Sequence, residues 1–459
     1  MKPQDYTFIF MVGVTLLLSP RIGLANESDA YNSTPVITLE DAHRMALAHY
    51  PKVKNIDESV ALAETQIQQA FSMVLPTLSA SASVIRSSDE ASLNIPDFSA
   101  FNPSNPTAPL PMAQMVIQEK WSRSVGITAS LPLYNPGAIL RIKMAHAGVD
   151  EARWTARIQK EDILFSVTTA YYQLNSIDQM IVVAKENLHL ASEFLNHSRA
   201  LEAAGQKTGI DVLRADITLS DAQKQLDDAE DDFKIARLTL STLIGHQGDF
   251  RVVAPRKKDH VSVSTSPSQL KSEALQQRAE IRAAETRGEK NRLNQRATSA
   301  RWLPRLDVSW GWNWNSATGF SGENDSWQLV FGASWNLFDG GTTIAEYRQR
   351  QSESAMAATE IQDVMLTVKL EVDTAIVEVK KHQRNVTLAK RQADLAAQQH
   401  ALVEKQYKAG MATSLELMDA TTGLAQAKAT VVTEQLQFDL SLLNLRKAAG
   451  HYHQLNSLN

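Results

Sequence analysis

Histidine is the residue type in this chain with the widest scope for metal binding and acid–base chemistry. The 459 residues include 11 histidines, which are scattered, and no cysteine. His451 and His453 flank Tyr452 near the end of the chain, with no acidic residue beside them. A protein metal site needs several converging ligands, so this spacing favours an exposed pair of side chains over a metal centre. We therefore predict no metal site and no cofactor.

Motifs for nucleotide binding and for hydrolysis are absent from the sequence. It contains no GxGxxG, no Walker loop, no GxSxG and no HExxH. The basic run Arg256-Lys257-Lys258 lies in an irregular segment and is typical of a solvated loop. The formal net charge of -5 argues against nucleic acid as a partner. The sequence predicts a protein that is not an enzyme and does not bind nucleic acid.

Polar side chains with a recognisable local role occur at predicted helix starts. Four hydroxyl residues are each followed three residues later by an acid or amide: Thr38 by Asp41, Thr208 by Asp211, Ser266 by Gln269, and Thr413 by Glu416. In such a capping box the two side chains satisfy the free N–H groups of a helix start. Gly205 and Gly410 suit the left-handed end of the preceding helix. The pattern predicts antiparallel helical hairpins with tips near 204–212 and 409–416.

Two long segments, 149–204 and 342–409, contain neither glycine nor proline. Continuous helix over the second segment would extend about 100 Å at about 1.5 Å per residue. Apolar residues recur there at helical spacing, as in Ile361, Val364, Met365, Val368, Val372, Ile376 and Val379. With its many alanines, this face resembles a coiled coil in which helices approach closely. The pattern predicts one elongated body.

The sequence repeats its own pattern once. The segment from Ala46-Leu47 to Leu75-Pro76-Thr77-Leu78 returns from Ala274-Leu275 to Leu303-Pro304-Arg305-Leu306. The segment Gly205 to Leu213 returns as Gly410 to Met418. Each half is predicted to contain a helix, a strand pair, a very long helix, a turn marked by glycine and a second helix. We therefore predict an internally duplicated fold.

The first residues have the pattern of a secretory signal. Lys2 precedes an apolar run from Phe8 to Leu18, and the small residues Gly23-Leu24-Ala25 follow. This run is too short to span a bilayer as a helix, so we predict a cleaved signal peptide and an exported chain. The predicted organisation is a signal peptide over 1–25, a first repeat over 26–246, a linker over 247–266, a second repeat over 267–450 and a tail over 451–459.

Four segments between the helices alternate strictly between apolar and polar residues. In the second half the apolar residues are Leu306, Val308, Trp310, Trp312 and Trp314, then Trp327, Leu329, Phe331, Ala333, Trp335 and Leu337. The first half repeats the pattern more weakly over 78–84 and 125–133. Five of the 8 tryptophans lie on this apolar face. An antiparallel sheet on a soluble core alternates in the same way, but the aromatic face and the export signal favour a transmembrane β-barrel.

Four strands cannot close a barrel alone. Unpaired backbone groups facing lipid cost several kcal/mol each, so other copies of the chain must complete the sheet. About eight strands leave a barrel filled by side chains, whereas three copies would give about twelve strands and a lumen. The segments 94–112 and 316–325 are predicted to be external loops.

Taken together, these segments resemble the TolC-like family of outer-membrane efflux proteins. The resemblance rests on the two Leu-Pro-x-Leu junctions, the turns at 131–137 and 337–341, and Tyr407-Lys408-Ala409-Gly410 followed by 417–422. It implies a homotrimer with a twelve-stranded β-barrel in the outer membrane of a Gram-negative bacterium and a long periplasmic α-helical coiled-coil barrel. It further implies a periplasmic adaptor and an inner-membrane pump of the RND, ABC or MFS type as partners, and small molecules such as drugs as cargo.

The resemblance assigns roles to residues at the hairpin tips. Glu416 and Asp419 match two acidic positions that line the pore constriction, and being three apart both can lie on one helical face. Glu416 also has the alternative of serving only as a cap. Tyr407 and Asp211 match a hydrogen-bonded latch of the closed state, with the alternative that each only covers or caps a turn. Ala412 stands where the family has a latching arginine.

The tips themselves, marked by Gly205, Thr208, Gly410 and Thr413, correspond to the family's adaptor-facing ends. Two other functions remain open at this point. A type I protein-secretion duct has the same design, and a trimeric coiled-coil structural or adhesive surface protein also fits long helices anchored by a small barrel. The adhesive protein would not need helical hairpins matched in both halves.

Overall fold

The computed structural model describes residues 35–101, 103–254, 266–316 and 323–452. The predicted signal peptide, the basic run from Arg256 to Lys258 and His453 lie outside these residues. Over the described ranges the helices are α1 (Leu39–His49), α2 (Pro51–Ser72), α3 (Pro136–Ala203), α4 (Gly209–Ile244), α5 (Pro267–Gln277), α6 (Ala279–Ser299), α7 (Thr342–Lys408) and α8 (Ser414–Ala448). The strands are β1 (Val36–Ile37), β2 (Thr77–Arg86), β3 (Ala91–Pro96), β4 (Met112–Gln118), β5 (Trp121–Tyr134), β6 (Arg251–Val252), β7 (Arg305–Asn315) and β8 (Asp325–Ser334).

The predicted first helix of each half is in fact two helices. Tyr50 lies between α1 and α2 with extended backbone angles (φ -71, ψ 118), and Arg278 lies between α5 and α6 with almost the same angles (φ -65, ψ 125). In the first half Pro51 accounts for the break, because proline lacks the N–H that a continuing helix requires. In the second half no proline is present, and Arg278 is instead held by Glu280, Glu371 and the carbonyl of Ala448.

The four main strands form one antiparallel sheet in the order β2-β5-β7-β8. Their register places apolar residues in continuous rows across the sheet, as in the row Ala80, Ile127, Trp312 and Trp327. Serine, threonine, asparagine and glycine predominate in the rows of the other face, although Ile85 and Val330 also lie there. Trp327 and Phe331 are 70% and 73% exposed in the single chain. An apolar aromatic face without cover is the face that a transmembrane barrel turns to lipid.

The extent of the strands differs from the sequence prediction in two places. The predicted loop 94–112 begins and ends inside a second hairpin, formed by β3 and β4, so that part of it is sheet. Trp335 and Leu337 continue the alternation but lie beyond the end of β8. Trp335 donates from its indole Nε1–H to the carbonyl of Trp302 at 2.9 Å, which anchors it outside the ladder. Alternation therefore overestimates the strand where aromatic residues continue past its end.

The long helices pack side by side in the order α4, α3, α8, α7. The buried alanines Ala184 and Ala229 pack with Leu226 in the contact between α3 and α4. Small side chains allow this close approach over helices of 68 and 67 residues, the lengths of α3 and α7. The shorter α2 packs on α3, and α6 packs between α3 and α7. None of the helices in the described ranges is long and apolar enough to cross a membrane.

Candidate functional site at the hairpin tips

Both predicted hairpins form, and each turns within a few residues. Gly205 and Gly410 follow α3 and α7 with φ of 72° and 73°. This left-handed conformation is open to glycine, and a side chain with a Cβ rarely adopts it. α4 then begins after Thr208 and α8 after Thr413. The two tips lie against each other and share a buried apolar cluster that includes Phe194, Ala215, Tyr407, Ala412 and Leu417.

The two acidic residues assigned to the constriction lie on one exposed face at the start of α8. Glu416 and Asp419 are both exposed, whereas Leu417 and Ala420 between and beside them are buried. Glu416 also completes its capping box, because its Oε2 accepts from the backbone N–H of Thr413 at 2.7 Å. That N–H and the Thr413 hydroxyl hold the pKa of Glu416 below its usual range. Glu416 is therefore a charged carboxylate that caps the helix and still faces solvent.

The side chains assigned to the latch bond to different partners in the single chain. Tyr407 is fully buried, and its hydroxyl lies 3.0 Å from the hydroxyl of Ser198 on α3. Asp211 accepts from the backbone N–H and the hydroxyl of Thr208, both at 3.0 Å. The backbone N–H of Thr208 is the main reason that the pKa of Asp211 is lowered. Within the described residues of one chain, Tyr407 thus joins the two hairpins through Ser198. Asp211 acts as a cap, and Ser414 of the second hairpin also lowers its pKa.

Lys207 is a residue of this site that the sequence pattern did not single out. Its Nζ donates to the carbonyl of Ala412 at 3.3 Å and lies 5.1 Å from the ring centroid of Tyr407. It also contributes to lowering the pKa of both Asp211 and Glu416. A signal was available, because Lys207 and Ala412 occupy equivalent positions, each two residues after the turn glycine.

Within the described ranges, no group of three or more His, Asp or Glu side chains is arranged to hold a metal ion. His451 instead pairs with Glu273 of α5 at 3.2 Å, a partner distant in sequence.

Comparison with known proteins identifies the family to which this architecture belongs. The model of the family described as "Outer membrane efflux protein" matches residues 43–246 and 270–451, which is most of the chain and both of its halves. The chain belongs to the outer membrane efflux protein family. One matched segment lies in each half of the chain.

Individual relatives are similar at low identity over long stretches. "Outer membrane efflux protein BepC" of Brucella suis is 23% identical over 313 residues, which cover 67% of this chain and 68% of BepC. "Antibiotic efflux pump outer membrane protein ArpC" of Pseudomonas putida is 21% identical over 353 residues, or 75% and 72% of the two chains. The crystal structure of the Campylobacter jejuni CmeC outer membrane channel superimposes with a TM-score of 0.73 at 16% identity, covering 90% of this chain and 85% of CmeC.

Membership in this family answers the broad question of function. The protein is an outer-membrane efflux channel of a Gram-negative bacterium, with the TolC-like fold expected from the sequence and a helical part that extends into the periplasm. The alternative of a structural or adhesive surface protein is not supported, because the family model matches both helical hairpins and both strand pairs.

Proposed function

We propose that three copies of this chain close into one exit duct, narrowed at its periplasmic end by rings of Glu416 and Asp419. A periplasmic adaptor binds the hairpin tips, and an inner-membrane pump of the RND, ABC or MFS type delivers small molecules to the duct. The observation that carries the proposal is that both edges of the chain, in the sheet and in the helical layer, are unfinished.

The sheet ends in β2 on one side and β8 on the other. β2 spans Thr77–Arg86 and β8 spans Asp325–Ser334, and each pairs with a neighbour on one side. Backbone N–H and C=O groups on the free side would face lipid without hydrogen bonds, at a cost of several kcal/mol each. Pairing β2 of one copy with β8 of the next removes this cost. Three copies then give about twelve strands, enough for a lumen.

The helical layer is unfinished at the same two sides. α4 is the edge on the side of the first half and α7 the edge on the side of the second half. Each carries large apolar residues that are more than half exposed: Ile210, Leu213, Ile217, Ile235 and Leu238 on α4, and Leu366, Leu370, Val377, Leu388, Leu395 and Leu402 on α7. Packing α4 of one copy against α7 of the next would bury both stripes. Such a head-to-tail contact closes into a ring when the rotation allows it.

Rings of carboxylates at the narrow end would set the ion preference of the duct. Threefold repetition of Glu416 and Asp419 would place six negative charges close together, which attracts cations and repels anions. The relatives support small-molecule cargo, since one of them is named as part of an antibiotic efflux pump.

Single-channel conductance of the purified mature protein in planar bilayers tests the proposal. We expect a small cation-selective conductance that divalent cations block from the periplasmic side. Asp419→Ala should raise the conductance and weaken the block, because it removes one of the two charge rings. Asp216→Ala is the matched control: it removes an exposed carboxylate near the tip of the other hairpin. Equal effects of the two substitutions, or no effect of Asp419→Ala, would exclude an Asp419 ring.

A further inference from the structure

We propose that Lys207 is a positioning residue, whose ammonium group fastens the tip of the second hairpin to the tip of the first and so holds the narrow end closed. This inference rests on the proposed function only for its consequence in the channel. The fastening itself is a statement about contacts within one chain.

The ammonium group of Lys207 bridges the turns of the two hairpins. Lys207 lies in the turn between α3 and α4, and its Nζ donates to the Ala412 carbonyl in the turn between α7 and α8. The same Nζ lies over the face of Tyr407, the last-turn tyrosine of α7, at 5.1 Å from the ring centroid. A cation over an aromatic face is attracted by the ring quadrupole. Two contacts of different kinds therefore join Lys207 to the second hairpin.

Carboxylates surround the same cation on both sides. Asp211 starts α4 on the first hairpin, and Glu416 starts α8 on the second, and the charge of Lys207 stabilises the ionised form of each. Lys408, at the end of α7, pairs within its own helix with Glu404 at 2.5 Å. Lys207 thus donates across to the second hairpin, whereas the ion pair of Lys408 lies within its own helix, with Glu193 of α3 as a further charged neighbour.

The fastening is built on the internal repeat. Lys207 and Ala412 are equivalent positions in the segments Gly205 to Leu213 and Gly410 to Met418. A lysine in both places would bring two like charges together, which is unfavourable. Alanine at 412 is buried and leaves its carbonyl free to accept from Lys207. The two halves thus divide the contact between them: one supplies the cation and the other the acceptors.

Separation of the tips must break the Lys207 contacts. Separation must also break the shared apolar cluster and the Tyr407–Ser198 bond. Removal of Lys207 alone leaves those two contacts in place, so it should loosen the tips without unfolding the hairpins. Removal of Lys207 would also take away positive charge that lies near the Glu416 carboxylate. The duct should then conduct more and prefer cations more strongly.

Hydrogen exchange of the full-length protein in detergent, followed by mass spectrometry, tests the fastening without reference to conduction. In Lys207→Met, we expect the amides around 411–417 to exchange about tenfold faster, since a hydrogen bond from a charged donor and its ring contact are lost. Lys207→Arg keeps the charge and should retain slow exchange. Lys408→Met removes a lysine from the same tip and should leave exchange at 411–417 unchanged.

Conductance of the same variants separates this inference from the proposed function. Raised conductance in Lys207→Met together with faster exchange supports both. Unchanged exchange in Lys207→Met, or equal acceleration in Lys408→Met, overturns the fastening whatever the conductance. A protein that forms no channel in any variant contradicts the proposed function, while the exchange data still decide whether Lys207 fastens the tips.

Discussion

The two halves of the chain make the same contact between helices with different chemistry. His43 of α1 touches Thr168 of α3 in the first half, with Nε2 and Oγ1 2.7 Å apart. Lys271 of α5 touches Asp373 of α7 in the second half, with Nζ and Oδ2 also 2.7 Å apart. The positions are equivalent, because His43 and Lys271 precede Ala46 and Ala274 by three residues, and Thr168 and Asp373 lie equally far before Gly205 and Gly410.

Burial separates the two contacts. His43 and Thr168 are buried, whereas the side chains of Lys271 and Asp373 are 34% and 51% exposed. Tyr452, which follows α8, covers the first contact and places its hydroxyl 2.7 Å from Thr168 Oγ1. Thr168 in turn donates to the carbonyl of Leu164, so its oxygen can accept from both Tyr452 and a neutral His43. A charged pair survives where water reaches it, and a neutral network replaces it where water is excluded.

Removal of Tyr452 should have the largest effect on stability, because it exposes the buried contact of the first half. Tyr452→Ala should destabilise the protein by about 3–5 kcal/mol, since it deletes a buried aromatic ring and opens the network to water. The ring also packs edge-on against Phe165 at 5.9 Å. Tyr452→Phe keeps the ring and removes only the hydroxyl, for a loss of about 1 kcal/mol. Thermal unfolding followed by circular dichroism measures both; equal losses would mean that the ring packing contributes nothing.

Acid should weaken the first contact specifically. Burial lowers the pKa of His43 to about 4 from 6.5. Between these two pKa values His43 is protonated in the unfolded chain but neutral in the folded chain, so stability falls as the pH drops from 6.5 towards 4. The full loss is roughly 3 kcal/mol. His43→Gln keeps an N–H donor but cannot titrate, and it should remove this part of the pH dependence.

His49 provides the control for the acid experiment. It lies on the same helix but is exposed, so His49→Gln controls for the loss of a histidine side chain outside the buried contact. Thermal midpoints measured between about pH 7 and pH 4 give the comparison. A wild-type curve that is flat over this range would contradict a neutral buried His43.

The local sequence pattern predicted the helices and strands of both halves but not the long-range side-chain contacts between them. The capping residues Thr38 and Thr413 start helices where expected, because a cap involves side chains three residues apart. The bond between Thr168 and Tyr452 joins residues 284 apart, and no local spacing encodes such a contact. The fastening by Lys207 spans 205 residues in the same way.

For the residues assigned by resemblance, the sequence predicted a shared helix face but not the contacts with other parts of the structure. Glu416 and Asp419 share an exposed face, as their spacing required. The proposed ring around a pore requires the neighbouring copies, which a single sequence does not specify. Tyr407 is buried against Ser198. This contact forms because α3 packs against the second hairpin, and the residues around Ser198 in the sequence do not reveal it.

The exposed contact of the second half should matter least. Lys271→Met should cost less than about 1 kcal/mol, because water already screens the pair with Asp373. The small loss should shrink further at high salt, whereas the loss in Tyr452→Phe should not change, since that network carries no charge. Thermal midpoints at low and high ionic strength measure this contrast. A loss of stability in Lys271→Met as large as that in Tyr452→Ala would show that the two contacts contribute equally to stability and that burial makes no difference.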